Sequence, residues 1–477
     1  MRCSILIFLV AIGIVEMATT RAPKTPNATI AIIGAGFAGL RAARHFEELK
    51  MNYIVLEGSN RVGGRVYPFE YGTGYLQYGA EYVNGVNNEI YEIAMKNNLL
   101  SLEELDDETY ETVVNGKELE ESLEEMWYKF EEKTNQKIEK EASNRKLNNQ
   151  SISERIDEHY QQFLAANTFL PKDMIILNAM KDLFKNQYQL EWSAKADDMC
   201  LKNLDVWDSG VDKEWTLNEF GFKTILDKFT VGVPKEKIRL NAKVVNIRYS
   251  SDSPVQIELS NSQILSFDSV IVTSSLGYLK KHKATMFNPP LSMQKSLAID
   301  QLGYGSNMKI FLEYDRPWWT SGMGGLQIAG NTTTKDFMLF NPSLWAENVL
   351  VAWVAGNGPS VVANLTDDQL MVLITNHLTT NLKGVYTVPK IKKLYRHNWI
   401  SDEFALGSYT YISKTACSGD LTEQIASPVS LAVRGVMRPV ICFAGEHTDS
   451  TMYQTVVGAA KSGLREATRL YKYYSTL

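Results

Sequence analysis

Cysteine is scarce in this chain, with Cys3, Cys200, Cys417 and Cys442 the four present in 477 residues. No two sit at CxxC spacing, which excludes a zinc ribbon, and so few exclude a disulfide-built scaffold. Cys3 lies at the extreme N-terminus and would leave with a cleaved leader; the other three are an odd number, so at least one thiol is free or pairs with another chain. A basic excess is lacking too. The formal charge of -6 and pI near 5.7 give no footprint for nucleic acid and mildly favour a cationic small partner. No repeat or low-complexity tract stands out, and the N-terminal apolar run Ile5 to Val15 falls short of the roughly 20 residues a membrane span needs.

That run follows Met1 and Arg2 and precedes the small-residue stretch Met17 to Ala22, the layout of a secretory signal peptide over residues 1–22. An uncleaved anchor is the alternative. Acceptor sequons at Asn27, Asn149, Asn331 and Asn364 lean toward the secretory route. The expectation is a protein secreted or held in the secretory-pathway lumen, with no stable membrane span once the leader is gone. The length suffices for two domains with full cores.

The stretch Thr29 to Gly39, TIAIIGAGFAG, carries the strongest signal. A run of β-branched and small apolar residues reads as a buried strand and feeds straight into Gly34, Gly36 and Gly39 at GxGxxG spacing. The first glycine allows the tight turn, the second lets a pyrophosphate approach the backbone, and the third lets the next helix pack close to the strand. Helical spacing of Leu40, Ala43, Phe46 and Leu49 leads to a second strand, Tyr53 to Leu56, which ends in Glu57. An acidic residue at that strand end, roughly 20 residues past the glycines, suits ribose hydroxyls and would repel a 2′-phosphate. This is a dinucleotide cradle.

Further motifs extend the pattern: Arg61-Val-Gly63-Gly64-Arg65, then Tyr78-Gly79-Ala80-Glu81, then Leu302 to Leu312 around Lys309, the His397 to Tyr409 segment, and Gly445-Glu446 before a helix starting near Val456. Together with the glycine fingerprint they resemble the flavin-dependent amine oxidase family, especially its polyamine oxidases. The resemblance implies an α/β, two-domain flavin amine oxidase fold, with a Rossmann-like FAD-binding domain and an α+β substrate domain built on a mixed sheet. It assigns 27–95, 221–290 and 420–477 to the FAD domain. The substrate domain takes 96–220, expected to be helical, and 291–419, expected to form the sheet.

The resemblance also assigns roles. Gly34, Gly36, Gly39, Glu57, Gly64, Arg65, Gly79, Ala80, Glu81, Val245, Trp399, Glu446, Thr455 and Val456 are expected to hold FAD, Val245 through its backbone against the adenine and Glu446 at the ribityl-phosphate region. Lys309 matches the lysine that holds a water against flavin N5; a lysine entering an apolar strand is costly to bury without a partner. Tyr409 forms one wall of an amine-binding aromatic pair, while Thr455 stands where plant-type members have the opposing tyrosine. Glu191 sits near the substrate passage, although a capping or surface carboxylate explains it as well. No cysteine lies between Thr448 and Val457, so FAD is expected to be non-covalent, and no metal is expected.

Asn84 departs from the pattern. Polyamine-specific members place Glu or His there, whereas an amide can orient an amine without supplying a counter-charge. The implied reaction is oxidation of a small cationic polyamine, such as spermine, spermidine or their N-acetyl derivatives, at the carbon beside a secondary amine, with O₂ giving hydrogen peroxide. Another amine or L-amino acid oxidase of the same fold stays open, as does a secreted flavoprotein whose catalysis is impaired and which acts as a binding protein. The acidic runs Leu102 to Glu108 and Glu118 to Glu125 read as a solvated helical face or as a funnel for polycations. The oligomeric state is left open.

Overall fold

The computed structural model describes residues 27–476 apart from 102–109, 148, 208–213, 331–335 and 434. The expected signal peptide, the acidic run Leu102 to Glu108 and the sequon at Asn331 therefore lie outside the described residues. Asn27, Asn149 and Asn364 are exposed.

A six-stranded sheet forms the first layer. Its order is Val429–Val433, Val436–Phe443, Ser269–Val272, Thr29–Ile33, Asn52–Leu56 and Ile238–Arg239. Every neighbouring pair is parallel except the hairpin joining the first two strands. Such central strands are covered on both faces, which is why Thr29–Ile33 reads as an unbroken apolar run. The helix Phe37–Glu48 packs on it through Ala38, Ala42, Ala43 and Phe46, and ends where Lys50 turns left-handed at φ 56°. The C-terminal helix Val456–Ser475 crosses it so closely that a Cβ on Gly463 would collide with the Ala38 carbonyl oxygen.

The second layer is a seven-stranded mixed sheet in the order Lys393–Arg396, Asn307–Glu313, Val349–Ala355, Leu339–Pro342, Gly325–Ala329, Tyr110–Val114 and Lys117–Glu118. The piece 96–220, expected to be helical, supplies a strand as well. Tyr110–Val114 pairs in parallel with Gly325–Ala329, residue for residue, because Thr112, Val113 and Val114 bury a β-branched edge that the surrounding charged sequence conceals. The helices Glu121–Ala142, Ile152–Ala166 and Pro171–Trp192 follow. Ser151 starts the middle one with a capping box, accepting from the Glu154 amide at 3.2 Å while Glu154 accepts from the Ser151 amide at 2.7 Å. A disulfide between Cys200 and Cys417 ties the end of this helical segment to the chain entering 420–477, and among the described residues Cys442 is a free, buried thiol.

Among the described residues no helix is long and apolar enough to cross a membrane, and no group of three His, Cys, Asp or Glu side chains could hold a metal ion.

Candidate active site

One cavity of about 760 Å³ runs between the two layers, within the upper range for small-molecule and cofactor sites. Its first end is the glycine cradle. Gly34 turns the chain at φ 105°, and a Cβ on Gly39 would strike the Gly34 carbonyl oxygen, so the strand and helix can meet only through glycine. At Gly36 a Cβ would meet nothing within 4 Å, because that face opens on the cavity. Glu57 sits at the end of its strand and accepts from the Ala35 amide at 2.6 Å and the Ser59 amide at 2.8 Å. Each carboxylate oxygen keeps a lone pair for a hydroxyl donor.

The middle of the cavity is an ionic knot. Arg65 Nη1 donates to the Ser408 carbonyl at 2.6 Å and to Glu446 Oε1 at 2.9 Å. Glu446 is 3% exposed and also accepts from Thr410 Oγ1 at 3.0 Å and the Gln454 amide at 2.9 Å. Burial alone would raise its carboxyl, but the adjoining Arg65 charge and these bonds hold it below the ordinary range. Gln454 adopts φ 73° and leaves its Nε2 without a partner among the described residues. It stands before Thr455, which caps the last helix by accepting from the Gly458 amide at 2.9 Å. Two helix N-termini thus border the cavity, at Phe37 and Val456, and both present their positive ends to it.

The open face at Gly36, the orphaned donor on Gln454 and the paired helix ends fit an elongated, anionic dinucleotide. Arg65 and the two helix termini suit phosphates, and Glu57 suits a ribose. No cysteine lines the cavity among the described residues.

The far end is built from the mixed sheet. Along Asn307–Glu313, Met308, Ile310 and Leu312 enter one core while Lys309 and Phe311 take the opposite face, the period-2 alternation of a strand. Lys309 faces Trp353 in register across the neighbouring strand, its Nζ 5.4 Å from that ring, and donates to Glu81 Oε2 at 2.6 Å. Burial holds its pKa below the ordinary lysine value, though Glu81 opposes the shift. Tyr409 closes one side. Its hydroxyl donates toward the Leu190 and Glu191 carbonyls, both at 3.1 Å, and accepts from Asn307 Nδ2 at 3.1 Å. Glu191 lies in the last turn of Pro171–Trp192; its surface is open to this cavity, where desolvation, then the Glu214 and Glu139 charges, push its carboxyl up to about 7. Asn84 Nδ2 donates to Glu214 Oε1 at 2.7 Å.

Of the residues singled out from the sequence, the cavity lining brings together Gly34, Gly36, Glu57, Gly64, Arg65, Gly79, Ala80, Glu81, Asn84, Glu191, Lys309, Trp399, Tyr409, Glu446, Thr455 and Val456. Gly39 stays outside it as a packing residue. Val245 is not itself in the lining; it sits at the register shift between Val244 and Asn246, beside Lys243 and Val244, which are. Glu81 also differs from a plain cofactor contact, since its carboxylate engages Lys309. Glu214, Trp353 and Gln454 escaped the sequence reading. Glu214 looks like one more surface acid, and Trp353 becomes visible only through its pairing with Lys309.

A glycine cradle leading to a buried lysine across one continuous cavity defines a dinucleotide-dependent oxidoreductase site. The chain belongs to the flavin containing amine oxidoreductase family, whose model matches residues 37–471. It is an FAD-dependent amine oxidase. Curated relatives include the bovine (Bos taurus) peroxisomal N(1)-acetyl-spermine/spermidine oxidase, 26% identical over 92% of this chain and 94% of that protein. A probable polyamine oxidase 5 of Arabidopsis thaliana is 27% identical over 94% of this chain and 99% of its own. The human (Homo sapiens) lysine-specific histone demethylase 2 is 27% identical over 93% of this chain but 53% of its own length.

Proposed function

We propose that this enzyme oxidises polyamines in an oxidising, secretory compartment. The observation that carries the substrate reading is one cavity lined together by the glycine cradle, Lys309 and two carboxylates, Glu191 and Glu214. Relatives named for acetylspermine, spermidine and polyamine oxidation point the same way. The compartment reading rests on the leader-like N-terminus and on the buried Cys200–Cys417 disulfide, a bond that persists outside reducing compartments.

FAD, when bound, would supply the redox chemistry of amine oxidation, with O₂ as final acceptor and hydrogen peroxide as product. The protein's own contribution is positional and electrostatic. Gly36, Gly64 and the helix ends at Phe37 and Val456 would hold the diphosphate, Glu57 a ribose, and Arg65 the adjoining polar atoms, all without a covalent link. Desolvation in the cavity favours the neutral form of the reacting nitrogen, whose ordinary pKa is near 10. Lys309 donates from Nζ to a water or to Glu81, orienting the water that hydrolyses the product imine to an aminoaldehyde and a shorter amine. Remote nitrogens stay charged and turn toward the acidic end, between the walls set by Tyr409 and Thr455.

The test is peroxide release by the purified protein with spermine, spermidine, their N-acetyl forms, a monoamine and an L-amino-acid mixture, read beside its visible spectrum. Turnover confined to the polyamines supports the reading. A flavin spectrum with turnover only on other amines or amino acids overturns the substrate, and a yellow protein inert to all of them marks a binding flavoprotein.

A further inference from the structure

The departure at position 84 has a counterpart elsewhere in the chain. Val83–Asn84 and Glu214–Trp215 form a two-residue antiparallel pair in which Asn84 lies directly opposite Glu214. That is the register at which side chains on one face meet, and the amide donates to the carboxylate at 2.7 Å. The neutral amide of Asn84 can point a donor at Glu214, where a carboxylate would repel it. Asn84 is fixed in turn, since Asn88 Nδ2 donates to its carbonyl at 2.9 Å.

We propose that Glu214, held by Asn84, supplies the counter-charge for a remote ammonium of the substrate and so makes the enzyme select amines carrying a second positive nitrogen. This rests on the amine-oxidase site described above and names a specificity-determining residue within it.

Charge bookkeeping along the cavity supports the assignment. Its cationic side chains are Arg61, Arg65, Lys243 and Lys309. Arg61 lies over the Tyr67 ring and donates to the Gly64 carbonyl at 2.7 Å, Arg65 is bound to Glu446, Lys243 pairs with Glu403, and Lys309 pairs with Glu81. None is ion-paired to Glu191 or Glu214 among the described residues. Glu191 makes no side-chain hydrogen bond there, and Glu214 makes one, from Asn84, which leaves Oε2 available. Desolvation disfavours the charge on both carboxylates, and the Glu214 charge adds to the cost at Glu191. A cation between them relieves both costs, and a neutral alkyl group relieves neither. A second ammonium suits this end of the cavity for the same reason.

The experiment compares kcat/KM for spermidine with that for a secondary monoamine of equal chain length, in wild type, Glu214→Gln, Glu214→Asp and Asn84→Ala. Losing one charge-assisted contact is expected to raise the spermidine KM about 10- to 100-fold with a much smaller change in kcat, and to lower the spermidine-to-monoamine ratio by the same factor. Glu214→Asp, which keeps the charge, should recover part of the ratio. Asn84→Ala should lower it less, and should add little to Glu214→Gln, because both act on one contact. A ratio unchanged in Glu214→Gln overturns the proposal while leaving the amine-oxidase reading intact. Wild type that turns over no polyamine overturns that reading, and the proposal with it. If Glu214→Gln fails to fold, Asn84→Ala and Glu214→Asp decide: equal ratios in both and in wild type overturn the assignment.

Discussion

Lys309 Nζ donates to Glu81 Oε2 across 2.6 Å, joining a strand of the mixed sheet to the loop that follows the hairpin Pro68–Tyr71/Gly74–Gln77. The pair spans the two layers at the point where cofactor and amine ends of the cavity meet. Lys309 is 5% exposed, so the ion pair answers the cost of burying an ammonium among Trp353 and Phe311. Replacing Lys309 by Met is expected to slow anaerobic flavin reduction by substrate, or imine release, about 10²- to 10⁴-fold while the flavin stays bound. Stopped-flow absorbance checks this, and an unchanged rate in both phases would remove Lys309 from the chemistry.

Glu81→Gln tests the other half of the pair. Burial lowers the lysine pKa and Glu81 raises it, so loss of the carboxylate lets it fall further. The limb of the kcat/KM profile that reports Lys309 should move to lower pH, and it should vanish in Lys309→Met. A profile that stays in place would show that Glu81 does not set the lysine's charge.

Two of the cradle's glycines, Gly36 and Gly39, predict opposite failures. Gly36 has extended backbone at φ -75°, and a methyl there meets open cavity. Gly36→Ala is therefore expected to fold and to lose flavin on gel filtration. At Gly39 the methyl meets the Gly34 carbonyl, a backbone atom that cannot swing away. Gly39→Ala should lower the melting temperature even of the flavin-free protein, by an overpacking cost of about 1–3 kcal/mol or more. Circular dichroism melts of both variants without flavin separate the two; equal melts would refute the distinction.

That contrast shows what a sequence can display. The strand Thr29–Ile33, the glycine turn and the helix after it are local features, set by β-branching, missing Cβ atoms and a 3.6-residue period, and so they are legible from consecutive residues. Lys309 was legible because a charge interrupts an apolar alternation. Tyr110–Val114 was not, since its partner strand lies more than two hundred positions away and its own neighbours are acidic. The irregular register between Val244 and Asn246 is likewise not written in the local sequence. Glu214 was hidden for a related reason: its meaning is a cross-strand contact with Asn84, and nothing in Glu214-Trp215 itself announces it.

The thiols report on compartment and leader together. With Cys200 and Cys417 joined and Cys442 free, a chain without its leader should show one thiol when denatured, and three after reduction. Retention of Cys3 as a free thiol would make these two and four. Thiol titration of protein purified from its native medium gives the answer, and three thiols before reduction would rule out the bridge.

Glu191 carries the pH dependence. Desolvation in the cavity, then the charges of Glu214 and Glu139, push its carboxyl up to about 7, and the negative end of its own helix works in the same direction. Above that pH it is charged and attracts an ammonium; below it the carboxyl is neutral and the attraction is gone. Affinity for polyamine should therefore fall as pH drops through about 7. Deprotonation of the reacting nitrogen also favours high pH, so the overall rate mixes two causes. The ratio of monoamine to polyamine KM isolates Glu191, since the reacting nitrogen is common to both, and Glu191→Gln should flatten it. Stability carries the opposite sign. An unfolded glutamate ionises near pH 4.3, so between there and 7 the native state binds the proton more tightly and its stability falls as pH rises. Glu191→Gln is then expected to melt higher than wild type at about pH 8 and alike at about pH 4, where both forms are neutral. A ratio that keeps its wild-type pH dependence in Glu191→Gln would transfer the titration to Glu214, whose carboxyl is shifted in the same direction.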